Sequence, residues 1–401
     1  MQIEYRAPRN IAELNDSIFC SMCAFDCDEG GFSDDHFFSR ILKLDPWYDL
    51  NNTRACFVDG QVASVVVIFE RPMRIGSSVV RMGGLGSVGT HPDHRKKGYS
   101  SQVLLDTADY LESASFDLSL LFTGTNRHYA KAGWVTYPVT LRSIDLSNWP
   151  QLDLAAETTE LSIETCDYGT DLPILVEIYN QFNKSRTGTT VRNQAYWENQ
   201  PEWRGQDPAL FWVARQNGQV VAYLKGGEKE ILEIGRRLNL PNGVRVLAQL
   251  MVHFLQNRVA ANQEQIQVND CAEIRQFLDR LGLESSTRET THFMFRITNF
   301  RSLLEKTCPM LEHRLRTSEL ADWKGKIQLQ YELDTQTLTV SDRQIRVESN
   351  TDSPTINLSL SQLQVLQLIF GELDDSILAD HPILLVLFPP DQLLHWSPDN
   401  F

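Results

Sequence analysis

The sequence predicts a mixed α/β protein of the α+β class with two or three domains, and three observations support this prediction. A strand, a basic turn and a helix follow one another over residues 84–111. A hairpin signal at 59–60 recurs at 217–218, which indicates a repeated unit. Short alternating strands followed by a helix are predicted over 328–373. The length of 401 residues also exceeds the usual size of one domain.

The charge balance and the absence of long apolar runs exclude several classes of protein. The formal net charge is −15, which argues against nucleic acid or an anionic membrane as the main partner and leaves room for a cationic substrate. The N-terminal residues show no signal-peptide pattern. The most apolar run, 382–388, is far too short to span a bilayer. We therefore expect a cytoplasmic protein.

The seven cysteines are mostly scattered along the chain. Cys20, Cys23 and Cys27 could share one helical face, but no second group of Cys or His stands at zinc spacing. Free Cys is among the most buried residue types, so buried thiols are favoured over a metal site. The sequence therefore predicts no metal.

Helical and strand periodicities alternate through the first third of the chain. Apolar residues at helical spacing predict helices over 11–27 and 34–44. The Asp-Gly pair at 59–60 predicts a two-residue turn of type I′ between two strands. The further predicted elements are strands at 78–82, 84–90, 117–122 and 134–141, a helix at 101–111, and one or two helical turns before 134.

A basic turn joins one predicted strand to the following helix. It contains Arg95, Lys96 and Lys97, and Gly98 directly precedes the helix. The first four N–H groups of a helix lack intrahelical partners and the helix dipole adds positive charge, so this end suits a phosphate or pyrophosphate. The pattern Arg-x-x-Gly-x-Ser, ending at Ser100, resembles the acetyl-CoA pyrophosphate loop of GCN5-related N-acetyltransferases. That loop usually ends in Gly or Ala, so the serine is a mild departure.

Tyr129 stands four residues before Gly133, after a short strand and a polar turn, and this order resembles the same family. A tyrosine at this position in the family donates a proton to the departing CoA thiolate. The chemistry fits, because a phenol with a pKa near 10 stays protonated at neutral pH and can protonate a thiolate whose conjugate acid lies near 8.5. His128 is the alternative acid or base, although on a short helix it is expected to point away from the face of Tyr129.

Residues 149–297 partly repeat the first unit. The hairpin at 213–222 echoes the earlier hairpin, and 277–283 echoes 128–134 with the apolar Leu278 in the place of the tyrosine. No Arg-x-x-Gly-x-Ser turn lies between these two segments. The sequence therefore predicts a degenerate second copy with a structural and substrate-lining role.

The pattern changes again in residues 298–401. Short strands are predicted at 328–333, 337–340, 345–348 and 355–360, and a serine-capped helix at 361–373. This arrangement resembles sterol-carrier-protein domains. Chain termini usually fray, but this sequence ends with Trp396 and Phe401, so we expect the tail to be docked.

These features together resemble one family over essentially the whole chain, the Eis (enhanced intracellular survival) acetyltransferases. The resemblance implies tandem acetyltransferase folds at 1–148 and 149–297, the second degenerate, and a sterol-carrier-like domain at 298–401. It implies acetyl-CoA as co-substrate and amines of cationic small molecules, such as aminoglycosides or polyamines, as acceptors. It also implies a homo-oligomer, often a hexamer.

The resemblance further implies roles for individual residues. Tyr129 is expected to be the general acid, and the carboxylate of the terminal Phe401 the general base. We predict that Asp26 and Asp399 contact the substrate. The residues expected to hold acetyl-CoA are Val88, Gly89, Thr90, Arg95, Lys96, Lys97, Gly98, Tyr99, Ser100, Ser101, Gly124 and Thr125.

Two other functions stay open at this point. A related enzyme could acetylate protein lysines or protein N-termini. A protein of a different class could bind acyl-CoA or a lipid without catalysis.

Overall fold

The computed structural model describes residues 1–25, 37–147, 149, 161–204, 207–332, 334–349 and 353–401. These residues form two units. The first consists of Met1–Pro138, Thr291–Leu393 and Phe401, and the second of Val139–Thr290 and Leu394–Asn400. The first unit thus contains residues of both the predicted first and the predicted third domain. The division into three domains stays a prediction.

The described elements up to residue 145 alternate between strands and helices. In chain order they are β1 (Ile3–Arg6), α1 (Ile11–Ala24), α2 (Phe37–Leu44), β2 (Thr53–Val58), β3 (Gln61–Ile75), β4 (Ser78–Thr90), α3 (Tyr99–Ser113), β5 (Leu118–Phe122), α4 (Asn126–Ala130) and β6 (Val135–Asp145). The two strands predicted at 78–82 and 84–90 are one continuous strand, β4, because Gly83 between them pairs with Glu70 and continues the ladder with β3.

The same order of strands and helices then repeats. The second series is β7 (Leu161–Thr165), α5 (Tyr168–Phe182), α6 (Gln194–Arg204), β8 (Phe211–Gln216), β9 (Gln219–Gly226), β10 (Glu230–Arg236), α7 (Gly243–Ala260), β11 (Gln265–Asn269), α8 (Ala272–Leu281) and β12 (Ser285–Ile297). The internal repeat inferred from the hairpin and from 277–283 therefore extends over the whole series.

Each unit contains a run of six neighbouring sheet strands that includes one parallel pair. The order in the first unit is β1-β2-β3-β4-β5-β12, with β4 and β5 parallel. The order in the second is β7-β8-β9-β10-β11-β6, with β10 and β11 parallel. Residues 293–297 of β12 pair with β5, and residues 141–145 of β6 pair with β11. Each run of strands thus includes one strand from the other repeat. The boundaries of the two units therefore differ from the boundaries of the sequence repeats.

The two hairpin turns have the backbone that a type I′ turn requires. Asp59 and Gly60 have φ of 49° and 85°, and Asn217 and Gly218 have φ of 50° and 74°. Type I′ needs positive φ at both central residues, which Asn, Asp and Gly adopt at low cost. The hairpin predicted at 59–60 is confirmed, and its echo at 217–218 has the same turn.

Side-chain caps define several helix ends. Asn10 accepts a hydrogen bond from the Glu13 amide (3.0 Å) and begins α1. That helix ends at Ala24, and residues 26–36, where its predicted last turn falls, lie outside the described residues.

Helices cover both faces of the sheet in the first unit. The buried face of α3, with Val103, Leu104 and Leu111, packs in one core with Ile68 and Phe116. Helix α1 contacts β3 and β4. Burial of such aliphatic side chains contributes about 1.5–3 kcal/mol each, which makes this core the main stabilising feature of the site's scaffold.

The remaining elements of the first unit are a long helix, a second sheet and short helices. They are α9 (Phe300–Arg316), β13 (Gly325–Tyr331), β14 (Asp334–Ser341), β15 (Gln344–Ser349), β16 (Ile356–Ser359), α10 (Gln362–Phe370), α11 (Asp375–Leu378) and α12 (Pro382–Leu387). The sheet has the order β15-β14-β13-β16. A capping box of Ser361 and Gln364 begins α10, which confirms the predicted serine cap. Among the described residues, no helix is both long and apolar enough to cross a membrane.

Candidate active site

An irregularity in β4 lies at the centre of the candidate site. Ser87 and Val88 together oppose the single residue Val66 of β3, which makes a β-bulge. Ser87 has φ of 51°, in the left-handed region that residues other than glycine rarely adopt. The Ser21 hydroxyl of α1 donates a hydrogen bond to the Ser87 carbonyl oxygen (3.0 Å). The bulge bends β4 and interrupts its ladder at this point.

The pairing between strands β4 and β5 ends just before the bulge. Their parallel pairing runs from Met82 with Leu118 to Leu85 with Leu121, whereas β4 continues to Thr90. In the described part of the chain, residues 86–90 have no partner on β5. The edge of β4 that faces β5 is therefore left without a strand partner over these residues, whereas the other edge pairs with β3 at Gly86, Gly89 and Thr90. A strand edge of this kind can pair with an extended ligand.

The turn after β4 is exposed and places bare N–H groups at the start of α3. Lys96 and Gly98 have positive φ (65° and 84°), and the N-cap Gly98 has no side chain to bond the first amides. Arg95, Lys96 and Lys97 are exposed. Lys97 Nζ donates to the Asp93 carbonyl oxygen (2.9 Å), within the turn. An uncapped helix start beside three cations fits a pyrophosphate group.

Tyr129 lies in the buried cluster that also contains the first residue of α3. The cluster includes Tyr99 of α3 and Leu121 of β5, and Val88 of the bulge packs against it. Burial raises the pKa of Tyr129, and a hydrogen bond with Thr123 opposes the shift. The phenol is therefore neutral at physiological pH and can only donate a proton.

His128 does not turn away from its neighbour. Its ring makes an edge contact with the Tyr129 ring, with centroids 5.2 Å apart, and its Nε2 lies 2.9 Å from the Ser100 hydroxyl. Burial and the nearby Lys131 lower the pKa of His128.

Phe401 lies on the face of β4 that its glycines leave open. A Cβ built on Gly84 would overlap the Phe401 ring, and one on Gly86 would lie 3.0 Å from its carboxyl carbon. The ring stacks on Phe69 (6.0 Å between centroids) and lies 5.1 Å from the ring of Phe122. The terminal carboxyl carbon is therefore next to the residue that precedes the bulge.

The predicted cofactor residues and the two predicted catalytic residues all belong to the first unit. Gly124 and Thr125 are exposed, in the turn before α4. Gly89 is enclosed by α1, since a Cβ there would lie 2.8 Å from the Ala24 Cβ. The missing side chain at Gly89 thus lets α1 pack closely, and the Gly89 carbonyl oxygen accepts a hydrogen bond from the Ser64 hydroxyl (2.8 Å). Asp26 lies outside the described residues.

Asp399, which was predicted to contact the substrate, is instead buried in an ion pair. Its side chain is fully buried in the second unit, where Arg192 Nε donates to it (2.7 Å) and Tyr196 donates a further hydrogen bond (3.0 Å). Arg192 also pairs with the buried Glu233. Because its carboxylate is enclosed and occupied, Asp399 anchors residues 394–400 instead of meeting a substrate.

Among the described residues, the cysteines nearest the site offer no ready nucleophile. Cys20 is buried, as expected of a structural thiol, and burial raises its pKa to about 12. Burial also raises the pKa values of Cys23 and Cys56. Cys27 lies outside the described residues. The thiolate is the reactive form of cysteine, so the raised pKa values disfavour Cys20, Cys23 and Cys56 as nucleophiles at neutral pH.

Sequence reasoning missed three features of the site. The bulge at Ser87 and Val88, the contact of Gly84 and Gly86 with Phe401, and the bond of His128 were not predicted. The run Met-Gly-Gly-Leu-Gly-Ser-Val-Gly over 82–89 was the available signal, because glycine in a strand marks a bulge or a close approach.

Comparisons with known proteins agree with this geometry. Residues 22–136 match the family model of the acetyltransferase (GNAT) domain. This range contains the bulge, the basic turn, α3 and Tyr129. No curated protein matches the sequence.

Solved structures of the same fold cover nearly the whole chain. A GCN5-related N-acetyltransferase from Anabaena variabilis has a TM-score of 0.69 at 16% identity, over 100% of both chains. A conserved protein of unknown function from Enterococcus faecalis has a TM-score of 0.71 at 15% identity, over 98% of both chains. Eis1 from Mycobacterium abscessus has a TM-score of 0.62 at 14% identity, over 100% of both chains. At these identities the structures show a shared fold.

The fold, the site and the domain match define the class of this protein. It contains a GNAT acetyltransferase domain with a mixed α/β fold, and GNAT domains generally use acetyl-CoA. The protein is an N-acetyltransferase.

Proposed function

We propose that this protein is an Eis-type enzyme that transfers the acetyl group of acetyl-CoA to an amine of a cationic small molecule of aminoglycoside or polyamine type. Tyr129 is the general acid and the carboxylate of Phe401 is the general base. The observation that carries the proposal is the place of Phe401, whose carboxyl carbon lies against Gly86 beside the β4 bulge.

The proposed cofactor site is supported by two features that fit acetyl-CoA. The uncapped start of α3, with Lys96, Lys97 and the amides from Gly98 to Ser101, suits the pyrophosphate. The edge of β4 at 86–90, which does not pair with β5, suits the extended pantetheine arm. Gly124 and Thr125 complete the set on the β5 side. When bound, acetyl-CoA supplies a thioester that an amine can attack.

The two proposed catalytic residues handle one proton each. As the amine nitrogen bonds to the acetyl carbon, the Phe401 carboxylate accepts a proton from that nitrogen. As the carbon–sulfur bond breaks, the Tyr129 hydroxyl donates its proton to the sulfur. The raised pKa values of Cys20, Cys23 and Cys56 favour this direct transfer over an acyl-enzyme.

The cationic acceptor is supported by charge. The net charge of −15 favours binding of cations, and Asp26 remains the proposed substrate carboxylate. As further parts of the proposal, the protein is a cytoplasmic homo-oligomer, a hexamer. Residues 149–297 are a degenerate acetyltransferase fold, and 298–401 are a sterol-carrier-like domain.

A screen of amines with the purified protein and acetyl-CoA, followed by release of free thiol, tests the proposal. We expect turnover with aminoglycosides and polyamines, and slower turnover with lysine peptides. Preference for lysine peptides or protein N-termini would overturn the acceptor class. Acetyl-CoA binding without thiol release for any amine would instead indicate a binding protein.

A further inference from the structure

One hydrogen bond links the start of the cofactor-binding helix to the helix that carries Tyr129. Ser100 is the second residue of α3, and its hydroxyl lies 2.9 Å from Nε2 of His128 on α4. His128 directly precedes Tyr129, and their rings are in edge contact. The bond therefore spans from the proposed pyrophosphate site to the proposed acid.

Helix α4 needs such contacts, because it has only five residues. A helix this short is unstable on its own and takes its position from what it packs against. At its start, Asn126 Nδ2 donates to Thr136 Oγ1 (2.8 Å) and to the Thr291 carbonyl oxygen (2.7 Å). The bond between His128 and Ser100 anchors α4 on the side of α3, one residue before the tyrosine.

The charge state of His128 suits a fixed contact. Its pKa is lowered by burial and by Lys131 on the following turn, so the ring is neutral at physiological pH. The positive end of the α3 dipole, at Ser100, also disfavours a cationic ring. A neutral imidazole and a serine hydroxyl each have a donor and an acceptor, so they can bond in either direction.

We propose that the Ser100–His128 hydrogen bond is a positioning contact that holds α4 against α3 and sets the Tyr129 hydroxyl for proton donation. The inference rests on the proposed role of Tyr129. This role explains why a serine stands where the loop of GCN5-related acetyltransferases usually has Gly or Ala, since the side chain of neither residue could form a hydrogen bond with His128.

A kinetic double-mutant cycle tests this contact. We expect Ser100→Ala and His128→Ala each to lower kcat about tenfold, the size of one lost hydrogen bond, with KM for acetyl-CoA changed by less than about twofold. The double variant should be no slower than either single variant. His128→Gln, whose amide can still bond to Ser100, should recover part of kcat. Arg127→Ala, an exposed neighbour on α4, is the matched control and should keep wild-type kcat.

The same variants in a Tyr129→Phe background separate this inference from the proposed function. If Tyr129→Phe is slow and His128→Ala then slows it no further, the positioning role holds. Effects of Ser100→Ala and His128→Ala that multiply would overturn it, as would a lowered melting temperature with unchanged kcat. If Tyr129→Phe itself keeps wild-type kcat, the proposed acid fails and the positioning role fails with it.

Discussion

The burial of Tyr129 determines what its hydroxyl can do. It lies in a cluster with Tyr99 and Leu121, and burial raises the pKa of its phenol. A buried phenol stays neutral and is a proton donor, which suits protonation of a leaving thiolate.

Substitution of this residue should affect chemistry and not cofactor binding. We expect Tyr129→Phe to lower kcat about 100-fold, the usual contribution of general acid catalysis, while the Kd for acetyl-CoA stays within about twofold. Thiol release and calorimetry measure the two quantities. Tyr110→Phe on α3, where the hydroxyl donates a hydrogen bond to Asn52 Oδ1 (3.3 Å), is the control. Wild-type kcat for Tyr129→Phe would remove the tyrosine from the mechanism.

The pKa shift also predicts the alkaline side of the pH profile. A raised pKa keeps the acid protonated to higher pH, so kcat should show no loss from tyrosine ionisation below about pH 10. Rates between pH 6 and 10 with saturating amine check this. An alkaline fall with an apparent pKa well under 10, present in the wild type and absent from Tyr129→Phe, would contradict the assignment.

Residue types and spacing were enough to find the basic turn and Tyr129. The contact of His128 with Ser100 could not be predicted, because the two residues are 28 positions apart in sequence and no local pattern pairs them. Asp399 was misplaced for a similar reason. Its partner Arg192 is 207 residues away in sequence, and nothing local indicates the pair.

At the scale of elements, the glycines of β4 make room for the chain's last residue. Gly84 and Gly86 alternate along the strand on the face where Phe401 lies, whereas Leu85 belongs to the core with α3. One face of β4 therefore packs against α3, and the other face contacts Phe401.

A methyl group at Gly84 should displace Phe401. We expect Gly84→Ala to lower kcat at least about tenfold without changing the Kd for acetyl-CoA, because the added Cβ occupies the place of the ring. Gly169→Ala on α5, where a Cβ meets only an ordinary contact at 3.4 Å, is the control. Unchanged kcat in both variants would show that activity does not depend on the position of the Phe401 ring against Gly84.

The strand and helix patterns predicted most elements, but not how β4 works. The two type I′ turns, the capped α10 and the strands of 325–359 follow from local sequence. The bulge at Ser87, and the union of two predicted strands into β4, depend on pairing with β3 and on packing of α1. Such tertiary contacts are not encoded by periodicity.

At the scale of the molecule, the two repeats share an order of elements but not a site. The second repeat has Leu278 on α8 in the place of Tyr129, and this side chain is buried in an apolar core. The start of α7 has Arg236 packed over Gly243, unlike the open Gly98 of α3. The sequence repeat does not predict that β6 pairs with β11 and β12 with β5, because β6 and β12 have the same periodicity.

One cofactor site per chain follows from this difference. Calorimetric titration with acetyl-CoA should give a stoichiometry of about one per chain, since the second repeat lacks an Arg-x-x-Gly-x-Ser turn before α7 and has Arg236 packed over Gly243 there. Lys96→Ala with Lys97→Ala should weaken that binding, with the same stoichiometry. A stoichiometry of two would contradict the degenerate assignment of the second repeat.

The most direct test of the account is removal of Phe401, with kcat and the Kd for acetyl-CoA measured on the same preparation. We predict a loss of kcat of about 100-fold or more with Kd within about twofold, because the proposed base is lost and the proposed pyrophosphate site is kept. A variant extended by a few residues beyond Phe401 should lose activity in the same way. Normal kcat in both variants would contradict the role of the terminal carboxylate.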